Sequence, residues 1–473
     1  MLFTSMEFLF IFLVCTLAGY FLLPVKARNY WLLLVSLFFY AWGAGAFVLM
    51  MILSIVINYA GALLIQRLGR GTRGSRWALA LTLGVDLAIL FVYKYMNFIT
   101  GTLNGLFPSA GIHVTEFILP IGISFFTFQA MSYVIDVYRG TAAQKNICYL
   151  GLYISLFPQL IAGPIVRYTT IEQEIQSRSV TWEGFSRGVL RFLYGFNKKM
   201  LLANILSQAA DAAFGAESLS VAMAWLGAVC YSLQIFFDFN GYSEMAIGLG
   251  QMFGFHFLEN FNYPYISKTV TEFWRRWHIS LGTWFRDYIY FPLGGSRVKS
   301  RLRLVFNLFV VWLATGIWHG ANWTFILWGV LYGVVITAEK LTDLPRRAAR
   351  HKVFAGFYQA LTLLLVMLGW VLFRAADLPS ALVYLRTMFG LNGAPAADAL
   401  FRFNLREYAV FLVMGLLCST PIWGMLRDKL SARGRTAAAL CDGAACAAQF
   451  LLFLVGVSAL VMNAHNPFIY SNF

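Results

Sequence analysis

Six histidines stand in the 473 residues, and two of them occupy positions where an imidazole could do chemistry. His319 lies in Trp318-His319-Gly320-Ala321-Asn322-Trp323, between two strongly apolar runs. If Arg303 marks the inner surface of a membrane, the chain from there to His319 climbs roughly 24 Å at about 1.5 Å per helical residue. That depth falls well inside, or at the outer edge of, a hydrocarbon core about 30 Å thick. Ionisable side chains at such depth are functional candidates, and a neutral imidazole there can accept a proton from an alcohol. The alternative is an interfacial histidine beside the belt tryptophans Trp318, Trp323 and Trp328 at a helix turn. Asn322, three residues on, shares the face of His319 if the helix continues.

His278 stands in Arg275-Arg276-Trp277-His278-Ile279-Ser280-Leu281. It either orients a bound substrate at the inner mouth of a cavity or is one more polar residue on an interfacial helix. Asp238 belongs to a polar island with Asn240, Tyr242, Ser243 and Glu244 that follows an apolar run. Intramembrane carboxylates suggest a proton relay or a lined cavity, whereas polar packing between helices explains most such residues. Asp86, Lys94 and Asp136 carry the same two readings. His113, His256, His351 and His465 fall in loops or near the chain's end. The six cysteines form neither a CxxC pair nor a His/Cys cluster of zinc spacing, so no metal site is expected. Gly248, Gly250 and Gly254 have the wrong spacing for a dinucleotide fingerprint, and no G-x-S-x-G elbow occurs.

The elements that must position these residues follow from composition. Hydrophobic residues make up 60% of the chain and charged residues 12%, where a soluble domain carries about 25% charged residues. That excludes an ordinary soluble enzyme. The net charge of +15 sits in short basic clusters between apolar runs, the positive-inside pattern rather than a nucleic-acid stripe, so no nucleic-acid partner is expected. The apolar run from Phe8 to Leu23 lacks a basic flank before it and reads as a spanning helix, not a signal peptide.

A spanning helix needs about 20 mainly apolar residues. Candidates are 3–23, 30–45, 46–66, 77–99, 117–137, 190–210, 221–248, 304–320, 323–341, 354–374, 408–426 and 447–464. With residue 1 outside, the basic clusters fall inside only if 147–165, interrupted by Pro158, Gly163 and Pro164, enters and leaves on one side as a re-entrant segment. The stretch 254–303 is too polar to span. Phe273, Trp277, Leu281, Trp284 and Tyr288 recur there at helical spacing, which predicts an amphipathic helix in the cytoplasmic interface, its apolar side toward lipid or protein. The expected fold is all-α and polytopic, about 11–12 transmembrane helices in a single domain over 1–473, with re-entrant and interfacial helices.

Several segments together resemble the membrane-bound O-acyltransferase (MBOAT) family in its alginate O-acetylation branch. They begin with Gln234-Ile235-Phe236-Phe237-Asp238-Phe239-Asn240-Gly241-Tyr242-Ser243 and Glu259-Asn260-Phe261-Asn262-Tyr263-Pro264-Tyr265. Glu272-Phe273-Trp274-Arg275-Arg276-Trp277-His278, Pro292-Leu293-Gly294-Gly295 and Gly316-Ile317-Trp318-His319-Gly320-Ala321 continue the likeness, and Asn466-Pro467-Phe468-Ile469-Tyr470 ends it. The D-alanyl transferases of teichoic-acid modification are similar around both histidines. The family pattern usually has Ser where Asn240 stands and Asp where Glu244 and Asn204 stand.

The resemblance implies a ring of helices around a thin central region pierced by a channel. His319 matches the family's catalytic histidine and His278 its second, inward histidine. Trp277, Arg275, Arg276, Asp238, Trp318 and Asn322 are the accompanying candidates for binding substrate or donor, with Asn322 or a nearby amide stabilising an oxyanion. The activity implied is O-acyl transfer from a cytoplasmic thioester, acetyl-coenzyme A, toward hydroxyls of an extracytoplasmic polysaccharide such as alginate. A multi-pass place in the bacterial inner membrane, among membrane lipid, and a periplasmic acetyltransferase partner are implied with it. No permanently bound cofactor is expected. The alternatives are D-alanyl transfer to a cell-wall polymer and a non-catalytic transporter of an acylated glycan or lipid.

Overall fold

The apolar runs fold as helices, because a backbone without water to bond must satisfy its amides and carbonyls within the segment. The computed structural model describes residues 1–113, 116–462, 466 and 469. Among these residues the regular structure is helical throughout. His465 lies outside them, as does most of the 466–470 motif.

Seven helices among the described residues are long and apolar enough to cross a membrane: Phe47–Leu68, Arg73–Leu106, Val221–Met252, Arg301–His319, Trp323–Thr342, Lys352–Arg374 and Arg435–Val461. An eighth crossing results if Ala399–Cys418 and Ile422–Ser431, bent by 63° at their junction, act as one. The protein is therefore an all-α polytopic membrane protein with fewer full-length spans than the sequence count. Several expected spans are cut short for identifiable reasons. The run 117–137 becomes a 17-residue helix, Ile123–Arg139, because Pro120 and the left-handed Gly122 precede it. The run 190–210 is divided by a π-helical turn, Lys199–Ala203, that carries a lysine. The apolar helix at the beginning of the chain covers only Phe8–Leu22.

The chain forms two compact units. The first takes residues 1–192 and 245–258. Its polar residues pair between helices: Asp86 accepts from Asn58 at 3.0 Å, and Lys94 donates to Ser124 at 2.9 Å. Asp136 lies 3.8 Å from Arg139 on its own helix. The interrupted stretch 147–165 is a helix, Ile147–Ser155, a break at Leu156 and a four-residue helix, Phe157–Leu160, with nearly all of it buried.

The second unit takes residues 193–244 and 259–469 and holds the candidate site. Its central pair is Arg301–His319 and Trp323–Thr342. A Cβ added at Gly316 would meet the Phe325 carbonyl at 2.5 Å, and one at Gly329 the Trp312 carbonyl at 2.5 Å. Small residues at these crossings let two backbones touch, the usual way spanning helices associate. The segment expected to be one interfacial helix is instead broken into Val270–Arg276, Ile279–Phe285 and the π-helical Arg286–Tyr290. Its apolar side chains Phe273, Trp277, Leu281, Trp284 and Tyr288 are all buried within the protein. Burial against neighbouring helices replaces the lipid that a surface helix would face.

Candidate active site

His319 is the last residue of the helix Arg301–His319, and its chain leaves through an extended Gly320. The imidazole is 3% exposed. The ring of Trp328 meets it at 5.0 Å and 80°, that of Phe373 at 5.3 Å and 75°. These two come from the next two spanning helices, so three helices close an aromatic cage around one polar ring. Edge-to-face contact is the favoured geometry of such pairs.

His278 stands at the break between Val270–Arg276 and Ile279–Phe285, in a left-handed conformation with φ 46°. A non-glycine residue rarely adopts it, and the surrounding bonds must hold it there. Asn260 does so from both sides of the turn. Its carbonyl accepts from Ile279 N at 2.9 Å, and its side-chain oxygen accepts from Ser280 N and from the Ser280 hydroxyl at 2.9 Å. Its amide donates to Ser243 at 3.1 Å. The His278 ring is 2% exposed and packs edge-on to Phe239 at 4.6 Å. Burial pushes its imidazole down to about 3, so the ring is neutral at ordinary pH.

Trp318 connects the two histidines. Its indole lies 4.9 Å from the His319 ring and 6.0 Å from the His278 ring. The remaining candidates fall elsewhere. Trp277 is buried in the wall below, stacked on Phe273 at 5.6 Å and against Trp370 at 4.8 Å. Arg275 is exposed, and Arg276 binds Glu272 at 2.9 Å and the Asn262 carbonyl at 3.1 Å. Asp238 is held in a buried ion pair, 2.7 Å from Lys199, and also accepts from Ile469 N at 2.9 Å.

Asn322 does not share a helical face with His319, because the helix stops at His319. Its side chain caps the following helix by accepting from Thr324 N at 3.1 Å, and its amide donates to the Ala376 carbonyl at 2.8 Å. An Asn directly before an apolar run is a helix-start signal, and it points to this role. Asn260 was not singled out among the sequence candidates; only its place in the Glu259–Tyr265 motif hinted at it.

The arrangement is a buried imidazole pair joined by an indole, in a wall of aromatic rings. It can take a proton from a hydroxyl and pass it to a leaving group. A family model described as MBOAT, membrane-bound O-acyltransferase family, matches residues 145–375. The chain is 39% identical over 503 residues to the probable alginate O-acetylase AlgI of Azotobacter vinelandii, with all of both chains covered. It is 44% identical over 396 residues to the protein of that name in Pseudomonas aeruginosa, covering 83% of this chain and 75% of the relative. A peptidoglycan O-acetyltransferase of Helicobacter pylori is 35% identical over 427 residues, covering 83% and 80%. With full-length similarity of this degree, the chain belongs to the membrane-bound O-acyltransferase family.

Proposed function

We propose that the protein moves an acetyl group from acetyl-coenzyme A on the cytoplasmic side toward hydroxyls of an extracytoplasmic polysaccharide of the alginate kind. His319 is the general base. It draws the proton from the acceptor hydroxyl as that oxygen adds to the thioester carbonyl carbon. The carbon–sulfur bond then breaks, and the proton passes to the departing thiolate. His278, neutral and fixed by Asn260, orients the donor, and Trp318 forms the wall between the two rings. The bacterial inner membrane is the site of action, and a periplasmic acetyltransferase completes delivery to the glycan.

The observation that carries this reading is the His319 ring closed inside aromatic side chains from three helices and joined through Trp318 to His278. The names of the relatives support acetyl as the group and a polysaccharide as the acceptor. The test uses the purified protein in detergent with its periplasmic acetyltransferase partner, acetyl-labelled coenzyme A, alginate oligosaccharides and, in parallel, peptidoglycan fragments. Label transfer to alginate should fall by about 10²–10⁴ in His319→Ala, the usual contribution of a general base. Equal transfer by that variant at matched protein levels overturns the assignment, and transfer to peptidoglycan alone replaces the acceptor.

A further inference from the structure

A second polar residue lies deep in the same unit, on the helix that supplies Trp328. Glu339 is 2% exposed and stands in the last turn of Trp323–Thr342, before Lys340. A buried carboxylate is unfavourable unless its oxygens are bonded, and here both are doubly occupied. Oε1 accepts from Val270 N at 2.8 Å and from the Tyr358 hydroxyl at 2.7 Å. Oε2 accepts from Thr271 N at 2.8 Å and from the Thr271 hydroxyl.

Those amides are the first of the helix Val270–Arg276, which a helix cannot satisfy by itself. Thr269 accepts from the next amide, Glu272 N, at 3.0 Å, completing the start of the helix. Two turns on, the same short helix ends at Trp277 and His278. Its length alongside Trp323–Thr342 is filled by rings: Trp274 meets Tyr332 at 4.9 Å and Trp328 at 5.2 Å. Lys340, the residue after Glu339, donates to the Tyr290 hydroxyl at 2.8 Å, at the far end of the broken segment. One turn of a spanning helix thus grips the His278 segment where it begins and where it ends.

We propose that Glu339 is the positioning residue for His278. Its carboxylate, braced by Tyr358 from the helix Lys352–Arg374, sets the height of Val270–Arg276 and so places the imidazole against Trp318. This rests on the reading of His278 as the group that orients the donor. Glu339→Gln keeps the shape but, whichever way the amide turns, sets its N–H against a backbone N–H, Val270 N or Thr271 N, where an acceptor is required.

The experiment is a double-mutant cycle on the purified full chain, with the periplasmic acetyltransferase, acetyl-coenzyme A and alginate oligosaccharides, each variant assayed well below its own thermal midpoint. Glu339→Gln should lower kcat/KM by about a hundredfold, the scale of a misplacement near 1 Å. In a His278→Ala background the same change should lower it less than threefold, because the position it sets no longer matters. Tyr358→Phe, which removes only the hydroxyl, should show a smaller loss that also vanishes in that background. It decides the question if Glu339→Gln does not accumulate. Losses that multiply across the two sites, or a Glu339→Gln enzyme with native kinetics beside an impaired His278→Ala, overturn the positioning role alone. Native kinetics in His278→Ala instead overturns the reading of His278, and the role of Glu339 with it.

Discussion

The indole of Trp318 lies 6.0 Å from the imidazole of His278 while being the chain neighbour of His319. A single side chain therefore touches both candidate rings, although they come from segments about forty residues apart in sequence. Removing it should be felt twice. Trp318→Ala opens a cavity in a packed wall, which costs about 3–5 kcal/mol for an aromatic side chain, and it frees both imidazoles to reorient. Trp318→Phe keeps a ring at the contact. We expect turnover in the Phe variant within about tenfold of native and in the Ala variant at least a hundredfold down. Acetyl transfer assayed beside thermal midpoints in detergent checks this, and equal turnover in all three proteins would remove Trp318 from the site.

The Lys199–Asp238 pair calls for a different experiment, since Asp238 was a sequence candidate for binding substrate. Both side chains are buried, 2.7 Å apart, and the Lys199 ammonium also donates to Asn204 at 2.6 Å. Removing one charge strands the other, which costs about 3–5 kcal/mol, whereas replacing both by apolar groups is often neutral. Lys199→Met should therefore lower the thermal midpoint strongly, and Lys199→Met with Asp238→Leu should recover most of it. If Asp238 only braces helices, the double variant is active. A double variant that is stable but inactive would return Asp238 to the substrate.

These two cases mark what the sequence could carry. Composition and run length make the membrane-spanning, helical character plain. The break at His278 does not follow. Phe273, Trp277, Leu281, Trp284 and Tyr288 keep a helical period through it, so periodicity predicts one helix. The left-handed turn is imposed by Asn260, some eighteen residues earlier, through bonds to Ile279 and Ser280, and no local pattern contains a tertiary bond of that kind. Glu339 was legible only as a carboxylate at the end of an apolar run. Its partners, Val270, Thr271 and Tyr358, come from two other helices.

Close approach of the two helices that carry His319 and Trp328 rests on Gly316 and Gly329. A Cβ at either position would lie 2.5 Å from a backbone carbonyl of the partner helix, which cannot move aside as a side chain can. Gly329→Val should push the pair apart, reduce accumulation of folded protein and abolish transfer. Gly356, in the spanning helix Lys352–Arg374, has nothing within 4 Å of its would-be Cβ. Gly356→Ala should be neutral or stabilise by up to about 1 kcal/mol through helix propensity. Size-exclusion profiles and thermal midpoints distinguish the two, and a well-folded, active Gly329→Val would disprove the close-packing argument.

The buried His278 also makes acid stability a measurable property of the site. Burial lowers its folded-state value from 6.5 to about 3. Between those values the unfolded chain binds a proton there that the folded protein does not. Stability therefore rises with pH through that window and falls as pH drops below about 6.5, with the full penalty reached near pH 3. Above pH 7 neither state is protonated, and His278 contributes no pH dependence. A His278→Gln variant has no proton to gain in either state. The native protein should thus lose more thermal stability than His278→Gln when both are taken from pH 7.5 to 5.0 in the same detergent, with the difference absent between pH 7.5 and 8.5. Parallel curves across the acid range would mean that the imidazole is solvated when folded, and would dissolve the case for a dry site around it.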